Sequence, residues 1–147
     1  MATTITSTSL SLSGARIVLD GCVSKASSIG PFNISVCDAH TNEIAFYRMD
    51  GAKITSVDVA KGKAFTSAGH KAPTRNFASY AGVSGPAYGL HTTNNGKFSI
   101  IPGGLPISNE EGTVIGSVGV SGGTPDQDEE VAMAGVEALK KVVRSRL

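Results

Sequence analysis

The stretch from Thr113 to Asp128, TVIGSVGVSGGTPDQD, leaves the chain few ways to fold around it. Val114, Ile115, Val118 and Val120 are β-formers with Gly116 and Gly119 between them, so the segment reads as a strand. Gly122 and Gly123 end that strand, because glycine accepts backbone angles that other residues avoid. Thr124 is a helix N-cap, Pro125 suits the first helical position, and Gln127 stands where a capping box wants Glu or Gln. Backbone N–H groups therefore gather at one strand-to-helix corner. Such a corner is either the edge of a pocket for a polar or anionic ligand or a plain capped turn.

The pattern extends in both directions. Upstream, Lys97–Ile101 reads as a strand that runs into a Pro102–Pro106 turn, followed by an exposed hairpin turn through 107–112. Downstream, a helix is expected over Pro125–Arg144, with Val131, Gly135, Ala138, Leu139, Val142 and Val143 on its core face. Its acids stand at the start and its bases at the end, which complements the helix dipole and explains the acidic run without a metal site. Nearer the N-terminus, apolar residues at helical spacing from Ser11 to Ile29 predict an amphipathic helix stopped by Gly30-Pro31. Phe32–Cys37 and Glu43–Met49 read as a hairpin, with Arg48 in water at the strand end. A further helix, Thr55–Ala68, has a narrow stripe of small residues, and its Lys61 and Lys63 are expected to be solvated. The order helix, hairpin, helix, loop, hairpin, helix implies an α+β fold: one antiparallel sheet flanked by helices.

Composition narrows the function classes. A chain of 147 residues is one domain, taken as 10–147 behind a flexible Ser/Thr-rich tail over 1–9. A formal charge of +1 and the absence of Trp argue against nucleic acid and acidic membranes as partners. No basic start or long apolar run marks a secretory signal or membrane span, so a cytoplasmic protein is expected. Cys22 and Cys37 lack metal-type spacing and read as buried thiols. His40, His70 and His91 show no paired spacing, so no metal site is expected. Phe77, Tyr80, Tyr88 and Leu90 cluster beside His91 in and just before the long loop over 81–96. They are a pocket roof, loop anchors or a subunit contact.

Four segments stand in the order and spacing of a known family. They are Met49-Asp50-Gly51-Ala52, the Ala60-Lys61-Gly62-Lys63-Ala64 helix, Pro102-Gly103-Gly104-Leu105-Pro106, and Gly119–Pro125 with Asp128. Over about residues 10–145 the chain resembles the GlcG/HbpS-like family, labelled haem-binding or haem-degrading. The resemblance implies a profilin- or roadblock-like fold, assembly as a homo-oligomer, and binding of haem or a corrinoid-like ligand. A small-molecule binding protein holding haem or another flat apolar ligand is the first expectation. Its ligand-binding candidates are Phe77, Tyr88, Pro102, Gly103, Gly104, Leu105, Gly122, Gly123 and Thr124, with His70 or His91 as the axial group. The alternative is a cofactor-independent biosynthetic enzyme of secondary metabolism, a lyase, isomerase or cyclase. It would dehydrate, isomerise or catalyse a cycloaddition such as a hetero-Diels–Alder reaction on an apolar oxygenated substrate. Its candidate acid–base groups are His70, His91, Tyr80, Asp50 and Arg75. An accessory protein without a small ligand is the third. In every case at least a dimer is expected, with Phe77, Tyr80 and Tyr88 near the contact.

Overall fold

The helix expected after Ser11 forms over Leu12–Ala26 (α1), and Ser11 caps it by accepting from the Gly14 N–H at 3.1 Å. The computed structural model describes all 147 residues. Strands β1 (Asn33–Asp38) and β2 (Glu43–Arg48) follow as a hairpin, then helix α2 (Ser56–His70). A 3-10 turn over Thr74–Phe77 leads into the short α3 (Ala78–Ala81). Strands β3 (Gly104–Ser108) and β4 (Val114–Ser121) form the second hairpin, and α4 (Pro125–Ser145) closes the chain. Its capping box is complete: the Thr124 hydroxyl accepts from Gln127 N–H, and the Gln127 side chain accepts from Thr124 N–H.

The four strands make one antiparallel sheet in the order β2-β1-β4-β3. The fold is therefore α+β, with α1 and α4 packed on each other and on one face of the sheet, and α2 on the other. Alternate residues of a strand point to opposite faces. On the first face Ile34, Val36, Val118 and Val120 are fully buried against Val18, Leu19 and Val131. Each such side chain contributes roughly 1.5–3 kcal/mol on burial. On the second face the same strands present Asn33, Ser35, Ser117 and Gly119. There α2 lies against the strand backbone: Ser117 Oγ donates to the Ala64 carbonyl at 2.6 Å, and a Cβ at Gly119 would overlap the Ala60 carbonyl and the Ala64 amide.

Two expectations differ from the structure. Lys97–Ile101 is not a strand; the third strand is Gly104–Ser108, which takes in most of the expected Pro102–Pro106 turn. The reason lies in what holds the upstream segment. Phe98 is buried against His70 and Phe77, and Ser99 N–H donates to Thr66 Oγ1 at 2.8 Å, so the segment is tied to α2 and not to the sheet. Thr74, at the start of the 3-10 turn, ties this region together: its hydroxyl donates to Ile101 O at 2.7 Å and accepts from Gly104 N–H at 2.9 Å. At the N-terminus Ser7 contacts His40 and Ser9 Oγ accepts from Ala39 N–H, although residues 1–9 are exposed. No helix is long and apolar enough to cross a membrane.

Candidate functional site

Three of the four family-like segments converge on one buried side chain, Lys63. Ala60, Lys63, Ala64 and Ser67 recur at helical spacing and face the sheet, so Lys63 is carried inward with the small residues. It is fully buried, which overturns its expected place in solvent; Lys61, by contrast, is half exposed beside Glu43 and the Phe46 ring. Lys63 Nζ donates to Asp128 Oδ2 at 2.7 Å and to the Val120 carbonyl at 2.8 Å. Asp128 Oδ1 accepts from Gly123 N–H at 2.9 Å. Gly103 closes the cage with φ of 124°, a conformation that favours glycine, and a Cβ there would stand 2.8 Å from Lys63 Nζ. Burial holds the Lys63 ammonium below its ordinary range, opposed by the hydrogen bond and charge of Asp128. Asp128, one of the acids of the helix start, thus does more than complement the dipole.

This arrangement accounts for the donors of the glycine corner. Gly123 N–H is taken by Asp128, Thr124 N–H by Gln127 and Gly104 N–H by Thr74. Gly103 O accepts from Val120 N–H, Leu105 is buried in the main core, Pro102 is half-buried and Gly122 sits over Pro31 and Phe32. Signature motif and buried ion pair are one structure.

A second cluster lies on the outer side of α2. The rings of His70, Phe77 and Phe98 meet at centroid distances of 5.0, 4.9 and 5.4 Å. Further along the loop Tyr88 meets His91 edge-on at 5.9 Å. The Nδ1 of His91 is buried with no hydrogen-bond partner. Tyr80, Val83 and Tyr88 stand 49%, 86% and 66% exposed. Tyr80, Val83 and Tyr88 are apolar side chains that their own chain leaves uncovered.

The other acid–base candidates lie elsewhere. Arg75 joins the N-terminus of α4, with Nη2 at 2.6 Å from Asp126 Oδ1 and Nε at 3.1 Å from Glu129; both partners raise its already high pKa. Asp50 lines a shallow depression with Val23, Tyr47, Arg48 and Met49 beside β2. The five groups His70, His91, Tyr80, Asp50 and Arg75 are therefore not gathered into one acid–base site. No group of three or more His, Cys, Asp and Glu side chains is placed to hold a metal.

Residues 10–137 match the family model described as haem degrading protein HbpS-like. An uncharacterised 15.0 kDa protein of Citrobacter freundii, from the dhaT-dhaS intergenic region, is 34% identical over 90% of this chain and 94% of its own length. The corrinoid adenosyltransferase PduO of Salmonella typhimurium is 31% identical over 74% of this chain, which matches 32% of PduO. Among solved structures, ORFY of Klebsiella pneumoniae superposes with a TM-score of 0.91 at 32% identity, covering 95% of this chain and 97% of ORFY. The PduOC:heme complex superposes with a TM-score of 0.83 at 29% identity, covering 88% of this chain and 94% of PduOC.

Proposed function

We propose, from the premise that this chain belongs to the HbpS-like family of haem-degrading proteins, that it is a haem-binding protein. The observation that carries the reading is its likeness to a domain solved with heme bound, over nearly the whole length of both chains. The residues present fit such a group. His91 has a buried ring nitrogen without a partner, and an imidazole not committed to the protein is available to iron. Tyr88 lies edge-on to it and gives a flat wall. Tyr80 and Val83 extend the apolar surface, and His70, supported by Phe77 and Phe98, is the alternative axial group. Haem, when bound, would supply the iron centre for redox and oxygen chemistry. The chain's own residues would hold it, orient it and limit water at one face. The exposed rings suit a second copy closing over the same surface, so a homo-oligomer belongs to this reading. Of the ligand candidates, Phe77 and Tyr88 flank the proposed site. The backbone groups of Gly103, Gly104, Gly123 and Thr124 are taken within the fold and Leu105 lies in the main core, so this reading gives them, Pro102 and Gly122 no contact with the haem.

The test is titration of the full chain with haemin, followed by the Soret band. Saturation at one haem per chain is expected, with His91→Ala losing the shifted band and His70→Ala retaining it. The reverse would move the axial role to His70, and no saturable shift in the parent would sink the reading. Hydroxocobalamin is titrated in parallel, because the Salmonella relative is a corrinoid adenosyltransferase. Light scattering on the same samples is expected to give two chains or more, and Tyr80→Asp to lower that mass.

A further inference from the structure

One cleft in the molecule takes no part in either cluster. It is a hollow of about 640 Å³ between the start of α1, the β3–β4 turn and the last turns of α4. That volume falls within the range of small-molecule pockets. The floor is the outer side of the main core, with Ile17, Ile107, Ile115, Leu139 and Val143. Every apolar residue that lines it is aliphatic, so no ring is present to stack on a flat ligand. No His, Cys, Met or Tyr lines it either, so it offers no side chain of the usual axial kinds to a haem iron.

The rim has two sides of opposite sign. Lys140 and Arg144 of α4, with Arg146 just past its end, form one. The first turn of α1 opens onto the cleft with no acidic residue in it, so its partial positive end adds to the basic groups. Glu110 and Glu111 of the β3–β4 turn form the other side. Neither Arg144 nor Arg146 pairs with a carboxylate of the chain, and neither glutamate pairs with a base.

We propose that this cleft binds an amphipathic carboxylate with an aliphatic body, the chemistry of a medium-chain acyl anion. The chain lies on the aliphatic floor, where no aromatic ring competes for it. The carboxylate meets Arg144, whose planar fork suits it, at the end where the α1 dipole is favourable. Glu110 and Glu111 repel the head from the hairpin side and so set the direction of entry. This site is independent of the haem surface, and the two fail separately.

Dodecanoate, below its micelle concentration, is titrated into the full chain by calorimetry, with dodecanol as the uncharged comparison. Saturable binding of dodecanoate at one per chain is expected, with dodecanol and Arg144→Glu each about tenfold weaker, the scale of one charge-assisted contact. Val143→Trp fills the floor and is expected to abolish binding; should it not fold, the first two measurements still decide. Haemin titration of Arg144→Glu is expected to match the parent, which separates this site from the haem reading. No saturable dodecanoate binding, equal binding of dodecanol, an unchanged Arg144→Glu, or displacement of dodecanoate by haemin would each overturn the proposal.

Discussion

Ile34, Val36, Val118 and Val120 point toward α1 and α4, whereas Ser35, Ser117 and Gly119, on the same two strands, point toward α2. The first face is held by area removed from water, a non-directional force that tolerates side chains of similar volume. The second is held by close approach and by buried polar groups that depend on partners, since a buried charge or amide without one is costly; Asn33 Oδ1 is an exception left without one. Of the family-like motifs, the Ala60–Ala64 helix, Gly103-Gly104 and Gly119 meet on the second face. A segment dense in glycine and short polar residues can thus be demanding because helix and sheet touch backbone to backbone, before any ligand is considered.

That contrast makes ordered predictions for urea unfolding. The largest effect is expected from Asp128→Ala, which leaves Lys63 buried without its carboxylate and should cost about 3–5 kcal/mol. Replacing both partners, Lys63→Met with Asp128→Leu, should recover most of that loss; a double variant no better than the single one would mean shape, and not charge, is decisive. Next comes Gly119→Ala, where one methyl meets the α2 backbone and should cost roughly 3 kcal/mol. The matching change on the other face, Ile34→Val, should cost only about 1 kcal/mol. Equal costs for these two would erase the distinction between the faces.

A smaller effect is expected from pH. Burial holds the folded-state pKa of Lys63 below the unfolded value of 10.5. Between those two values the unfolded chain binds more protons than the folded one, so the pair makes unfolding free energy rise with pH. The difference between the parent and the Lys63→Met, Asp128→Leu variant should therefore grow in favour of the parent as pH climbs toward the lysine range. A difference that shrinks would show that Asp128 outweighs desolvation.

The smallest perturbation compares one cysteine from each face. Burial pushes the Cys22 thiol up to about 12, and burial with the nearby Glu43 and Asp38 charges does the same to Cys37. Both should resist a disulfide reagent at neutral pH and react fully in denaturant, because the thiolate is the reactive form. Labelling of Cys37 ahead of Cys22 would show that the α2 layer opens by itself.

Much of the fold was legible in the chain's local pattern. Ser11 and Thr124 mark the helix starts that form, and the strands of the first hairpin lie within a residue of where alternation puts them. The motif resemblance agrees with the family match over residues 10–137. The site was less legible. Lys97–Ile101 has the composition of a strand, but Phe98 finds a better place among the rings of His70 and Phe77. Lys63 was open to a closer reading, since it stands three residues after Ala60 and four before Ser67 on the stripe that faces the sheet. Nothing local marked Thr74, whose two bonds reach Ile101 and Gly104.

The sequence by itself determined where helices begin, which strand residues share a face, and that the hairpins pair antiparallel. Those are properties of neighbours a few residues apart, set by capping, backbone freedom and the periods of helix and strand. Only the tertiary structure decided that a lysine lies at the centre of the small-residue face. Its acceptors, the Val120 carbonyl and the Asp128 carboxylate, stand 57 and 65 residues away along the chain. A buried charge is tolerable only when such distant groups arrive together, and no local pattern records that they do.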